Sequence, residues 1–146
     1  MKVAHLIGRI LLGGFMIFSS VTNLIQFNST VGFTQSMGVP FPQVATLVAM
    51  LLLLAGGLCI LTGFQPRLGI AIMLLFLVPV TLLMHQFWLV KDPFQRLIQE
   101  RFFEANIGLM GSALMFVAIP TPWPFSLGQQ AARASRSMAS QPGQAD

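Results

Sequence analysis

Residues 10–66, ILLGGFMIFSSVTNLIQFNSTVGFTQSMGVPFPQVATLVAMLLLLAGGLCILTGFQP, contain no charged side chain, and residues 68–90, LGIAIMLLFLVPVTLLMHQFWLV, contain none either. A third uncharged run covers residues 105–132. The few charges sit at the breaks between these blocks. Water is a poor solvent for such blocks, whereas about 20 apolar residues in a helix cross the hydrocarbon of a bilayer with every backbone polar group satisfied internally. The chain therefore reads as an integral membrane protein.

Composition narrows this further. Charged residues make up 8% of the chain and hydrophobic ones 55%, against about 25% charged in a soluble domain. Four spans and their connections use nearly all of the 146 residues, which leaves no length for a soluble catalytic module. The net charge of +4 comes from basic residues that flank apolar blocks. Positive-inside topology and anionic head groups explain that placement, and nothing in it recognises nucleic acid. Cys59 is the single cysteine, so one chain holds no disulfide.

The predicted spans are residues 3–27, 43–64, 68–90 and 102–119. The first block continues through Leu24, Ile25 and Phe27, too long for the apolar region of a cleaved signal peptide, and is read as a retained span. Residues 28–42 contain Gly32, Gly38, Pro40 and Pro42 and are expected to break helix. Residues 65–67 form a short turn and residues 91–101 a charged connection. Pro120, Pro122 and Pro124 end the last span. Residues 1–127 form the predicted transmembrane domain, and the Ala-, Ser- and Gln-rich residues 128–146 a disordered tail. Lys2, Arg9, Arg67, Arg133 and Arg136 fall on one side, against Lys91, Arg96 and Arg101 on the other, which puts both termini in the cytoplasm. The fold class is an all-α, four-helix transmembrane bundle.

This topology gathers the polar groups of the spans at the outer side. Thr81, His85 and Trp88 have helical spacing. An intramembrane histidine either exchanges a proton or a hydrogen bond with a ligand, or serves as an interfacial residue bonded to a neighbouring helix. Asn106 needs a partner because hydrocarbon offers none, and Asn23, with Ser19 and Ser20 a turn earlier, is in position to supply it. Arg96, Glu100 and Glu104 stand four apart, with Arg101 three before Glu104, as in an ion-pair ladder or a solvated helix start. Ala55, Cys59 and Gly63, and Gly108 with Ser112, have the spacing of close helix packing. No metal or haem signature is present.

The order of several motifs resembles the DoxX family of small four-span membrane proteins. These are Gly8-Arg9, the Met37–Pro42 segment, the Leu61–Arg67 turn, His85-Gln86-Phe87-Trp88, Phe102-Phe103 with Asn106 and Gly111, and Phe125-Ser126-Leu127. The resemblance covers about residues 8–127. It implies a four-helix bundle and a redox-linked role, because some relatives are subunits of a thiosulfate:quinone oxidoreductase and others assemble with partners that handle thiol stress. Relatives often carry ionisable residues where this chain has Asn23, Leu53 and Ala105, so an acid–base mechanism does not transfer.

The resulting expectation is a bacterial inner-membrane protein that is at most a subunit of a membrane oxidoreductase. Its ligand site would use Asn23, His85 and Asn106 on the polar edge, Phe87, Trp88 and Phe103 as apolar walls, and Glu104 nearby. It brings no intrinsic cofactor. A quinone suits the site, electrons require a redox partner protein, and self-association is compatible with the helix faces. The competing expectation is a non-enzymatic membrane adaptor or assembly factor whose polar cluster staples helices together.

Overall fold

The computed structural model describes residues 1–139 and is helical throughout, with no strand among the described residues. Its helices are α1 (Lys2–Ile25), α2 (Phe27–Ser36), α3 (Pro42–Thr62), α4 (Pro66–Met84), α5 (Pro93–Val117) and α6 (Leu127–Ala139), with a single 3-10 turn at Phe87–Leu89. Three segments are long and apolar enough to cross a membrane: Lys2–Ile25, Pro42–Thr62 and Pro66–Leu89. Their outward faces are undisguised. Phe18 is 70% exposed, Leu75 62% and Met115, on α5, 76%, a distribution suited to lipid contact and not to water.

Helix α3 is the centre of the arrangement, with α1 on one side and α4 on the other. Adjacent glycines make this possible. A Cβ on Gly57 would lie 3.0 Å from the Gly13 carbonyl oxygen, and one on Gly13 would lie 2.9 Å from that of Gly57. On the other face, a Cβ on Gly69 would meet the Gly56 carbonyl oxygen at 3.0 Å and the Cys59 Cβ at 2.8 Å. Backbone thus touches backbone at two crossings one residue apart, where dispersion contacts are densest. Met16, Ile60, Ile70 and Met73 fill the space around them, each at most 1% exposed. The packing stripe is Gly13, Gly56, Gly57 and Gly69, not the expected Ala55, which is exposed, or Gly108, which has open space about its Cα. Cys59 does pack as expected, against Gly69.

Side-chain hydrogen bonds reinforce the crossings. The buried Ser20 hydroxyl donates to the Met50 carbonyl at 2.8 Å, joining α1 to α3. The Thr46 hydroxyl donates to that of Thr34 at 3.1 Å, tying α2 to α3. Each link satisfies groups that lipid could not.

Element boundaries depart from expectation at four places. The segment expected to break helix forms α2, because Gly32 is tolerated and Thr30 and Thr34 bond back to the carbonyls of Gln26 and Thr30; the chain turns only at Gly38, with φ +74°. Helix α4 ends at Met84, so His85 and Trp88 do not share a continuous helix face with Thr81. Helix α5 starts at Pro93, nine residues early, because the Asp92 carboxylate accepts from the Gln95 amide at 2.8 Å as an N-cap and proline suits the first helical position. Residues 127–139 are helical, in keeping with the high helix propensity of their alanines and arginines; the rest of the expected tail lies outside the described residues.

Replacing Gly57 with leucine is expected to cost about 3 kcal/mol or more from overpacking at the α1–α3 crossing. Thermal melting in detergent checks this, with Gly108→Leu melting close to the unmodified protein because nothing lies within 4 Å of the added Cβ.

Candidate functional site

Helices α1 and α5 each pack on a different neighbour, α1 on α3 and α5 on α4. They approach each other near the α6 end, where the His5 and Phe116 rings lie 5.5 Å apart and both meet Trp123. Trp123 is fully buried, so it serves as a packing wedge and not as a lipid-facing interfacial residue. Toward the other end a half-open cavity of 490 Å³ occupies the space bounded by α1, α2, α3, α4 and α5. That is within the usual range of small-molecule pockets, about 300–1,000 Å³.

Each wall follows helical periodicity. Helix α1 contributes Phe15, Ser19 and Asn23, four apart, and α5 contributes Phe102, Asn106 and Leu109. Helix α2 closes one side with Thr30, Phe33 and Thr34, while α3 supplies Thr46, Ala49, Met50 and Leu53 among others. From α4 come Met73, Leu75, Pro79 and Leu83, and His85 follows at its end. Proline has no amide hydrogen, so Pro79 leaves the Leu75 carbonyl without its helical donor in this same wall. Among the described residues no Asp, Glu, Lys or Arg lines it.

The polar groups differ in their commitments. The Asn23 amide donates to the Ser19 carbonyl at 2.8 Å, one turn back in its own helix. The Thr30 hydroxyl lies 3.4 Å from the Asn23 side-chain oxygen. His85 Nδ1 lies 2.7 Å from Gln99 Oε1. Since that oxygen only accepts, the ring carries its proton on Nδ1 and, when neutral, leaves Nε2 as an acceptor. The imidazole stacks on Phe102 at 5.3 Å. Among the described residues the Asn106 side chain makes no hydrogen bond, and Asn23 and Ser20 do not serve as its partners.

Of the residues singled out in the sequence, Asn23, His85 and Asn106 thus share one cavity. Phe87, Trp88 and Phe103 do not line it. They form a separate aromatic cluster, with centroids 5.1–5.9 Å apart, that fastens the 3-10 turn to α5. Glu104 also lies outside; it accepts from Arg101 at 2.6 Å on an exposed face, and among the described residues this is the only rung of the expected ladder. Gln99, Phe102 and Pro79 were missed. Gln99, Phe102, Asn106 and Leu109 are spaced by three and four, as on one helix face, and Phe102, not Phe103, is the cavity-facing ring. Gln99 joins that face because α5 starts at Pro93. Among the described residues no cluster of three His, Cys, Asp or Glu is placed to hold a metal ion.

Gln99→Leu removes the partner of a half-buried imidazole nitrogen. It is expected to lower stability by about 1–3 kcal/mol and to redistribute the ring proton between Nδ1 and Nε2, measured by detergent melting and by histidine nitrogen chemical shifts.

Comparison with known proteins gives one family: the DoxX family model matches residues 4–86, more than half of the chain. No curated protein and no solved structure matches the chain.

Proposed function

Because the chain belongs to the DoxX family, we propose that it is a four-span protein of the bacterial inner membrane, serving as a non-autonomous subunit or ligand-binding component in quinone- or thiol-linked redox metabolism. The observation that supports this reading is the uncharged cavity with His85, Asn106 and Asn23 toward one end. Asn23 and Leu53, two of the positions where relatives often ionise, both line it. A wall without charge favours an uncharged, flat ligand that reaches it from the bilayer between α1 and α5.

In this reading, Asn106 offers its uncommitted carboxamide to the polar edge of the ligand. His85, held by Gln99 through Nδ1, accepts a hydroxyl proton at Nε2 and in the protonated state donates back to a carbonyl. Phe102 and the α3 side chains pack on the ligand faces. Phe87, Trp88 and Phe103 anchor the outer interface beside it, with the Arg101–Glu104 pair in the head-group region. A quinone bound there supplies the two-electron chemistry; the chain's own residues position it and exchange its protons, and a partner protein completes the electron path. Helix α5 is the fourth span, its charged first turns lying in the outer head groups, and the basic α6 end faces the cytoplasm.

Gentle extraction followed by mass spectrometry of bound lipids is expected to recover a quinone with the unmodified protein, and about tenfold less with His85→Ala, the loss of one strong hydrogen bond near 1.4 kcal/mol. No quinone from the unmodified protein, together with unchanged activity in a His85→Ala strain, refutes the reading. The adaptor reading draws on a specific observation, that Asn23 and His85 already bond within the chain. It expects His85→Ala and Asn106→Leu to lower folded yield without altering ligand recovered per folded protein.

Topology is separately testable. Reporter fusions at the C-terminus should show cytoplasmic activity, and a periplasmic signal would reverse the assignment.

A further inference from the structure

The α6 end of the molecule collects Lys2, Arg9, Arg67, Arg133 and Arg136, whereas at the opposite end, around the beginning of α5, Lys91, Arg96 and Arg101 are balanced by Asp92, Glu100 and Glu104. These cations are not equivalent. Arg9 is 3% exposed and committed: its guanidinium donates to the carbonyls of Pro124 and Phe125 at 3.2 and 2.9 Å. Arg67, Arg133 and Arg136 are exposed and, among the described residues, have neither a hydrogen-bond nor an ion-pair partner.

Arg67 lines a second pocket, of 440 Å³, between the α3–α4 turn and the start of α6. Gly128 and Ala132 form its α6 wall, and Arg136 continues their four-residue spacing one turn further along the same helix face. Phe64 and Leu68, 58% and 48% exposed, line the pocket beside Arg67. The turn joins two apolar spans, so it stands at the bilayer surface. Helix α6 is suited to the same level. Leu127, Ala131, Ala134 and Met138 form one exposed apolar stripe, with Arg133 and Arg136 away from it, as in helices that lie in the interface plane.

Arginine presents a planar fork that pairs with phosphate oxygens. A free phosphate would find no use for Phe64 and Leu68, whereas an amphiphile would use both halves of the pocket. We propose that this pocket is a binding site for an anionic phospholipid of the adjacent leaflet. Arg67 and Arg136 hold its head-group phosphate, Phe64 and Leu68 pack on the first acyl methylenes, and Arg133 adds charge at the rim. The site is separate from the uncharged cavity near the other end of the bundle, and it holds whether or not that cavity takes a quinone.

The test uses the full chain in vesicles of equal phosphatidylglycerol and phosphatidylcholine, released gently and weighed intact with its retained lipids. The unmodified protein is expected to keep phosphatidylglycerol in preference. Arg67→Ala and Arg136→Ala should each reduce that preference about fivefold, while Lys91→Ala with Arg96→Ala at the opposite end leaves it unchanged. Both arginines are exposed and unbonded, so the variants should fold; Arg67→Lys and Arg136→Lys, which keep the charge, should retain most of the preference. Excess inorganic phosphate should not displace the lipid. Equal retention of the two lipids by the unmodified protein, an undiminished preference in the double alanine variant, or displacement by inorganic phosphate would each overturn the proposal.

Discussion

Two contacts between backbones, Gly13 with Gly57 and Gly56 with Gly69, set the distances on which the rest of the structure depends. In lipid the hydrophobic effect does not drive helices together, so close approach must supply the cohesion. Placing the two glycines consecutively lets α3 meet α1 and α4 at the same depth. From that three-helix sheet the remaining geometry follows. Helix α5 packs mainly on α4 and meets α1 near the α6 end, where Phe116 lies against His5, so the flank of α1 toward the other end stays open. The cavity occupies the space that this arrangement leaves between them.

The two ends of the molecule solve the polar problem differently. At the α6 end, one buried guanidinium closes the structure. Arg9 binds the carbonyls of Pro124 and Phe125, and it lies so close to Gly63 that a Cβ there would meet it at 2.8 Å. Gly63 also has φ +62°, a conformation glycine alone adopts without strain. The Ser126 hydroxyl then donates to the Trp123 carbonyl and accepts from the Gln129 amide, starting α6. At the other end no such clamp exists among the described residues. Neutral amides, hydroxyls and an imidazole are distributed around open space, and that difference makes one end a fastening and the other a candidate binding site.

Parts of this were legible from residue order. The apolar blocks located α1 and α3 to within two residues and the start of α4 as closely, because hydrocarbon punishes any unpaired backbone group and leaves few solutions. Asn23, His85 and Asn106 could be grouped by topology alone. The start of α5 was hidden by treating its charges as a connection, although Asp92-Pro93 is a helix start by its own chemistry. Phe102 and Phe103 stand four and three residues before Asn106, so spacing alone lets either ring share its face, and only the packing of α5 on α4 turns Phe102 to the cavity. The small-residue stripe was misassigned because many glycine spacings in this chain are compatible with packing, and spacing does not say which face meets a neighbour.

Residue order by itself determined that the chain lives in lipid, roughly where its three most apolar helices run and that Asn23, His85 and Asn106 belong together. These are consequences of transfer free energy and helix periodicity, which act locally along the chain. Only the tertiary structure decided that Gln99 fixes the ring proton of His85, that Asn106 faces open space, and that Arg9 is spent while Arg67 is free. Those outcomes depend on which helices touch. That was settled by the few places where two backbones could approach without a side chain between them.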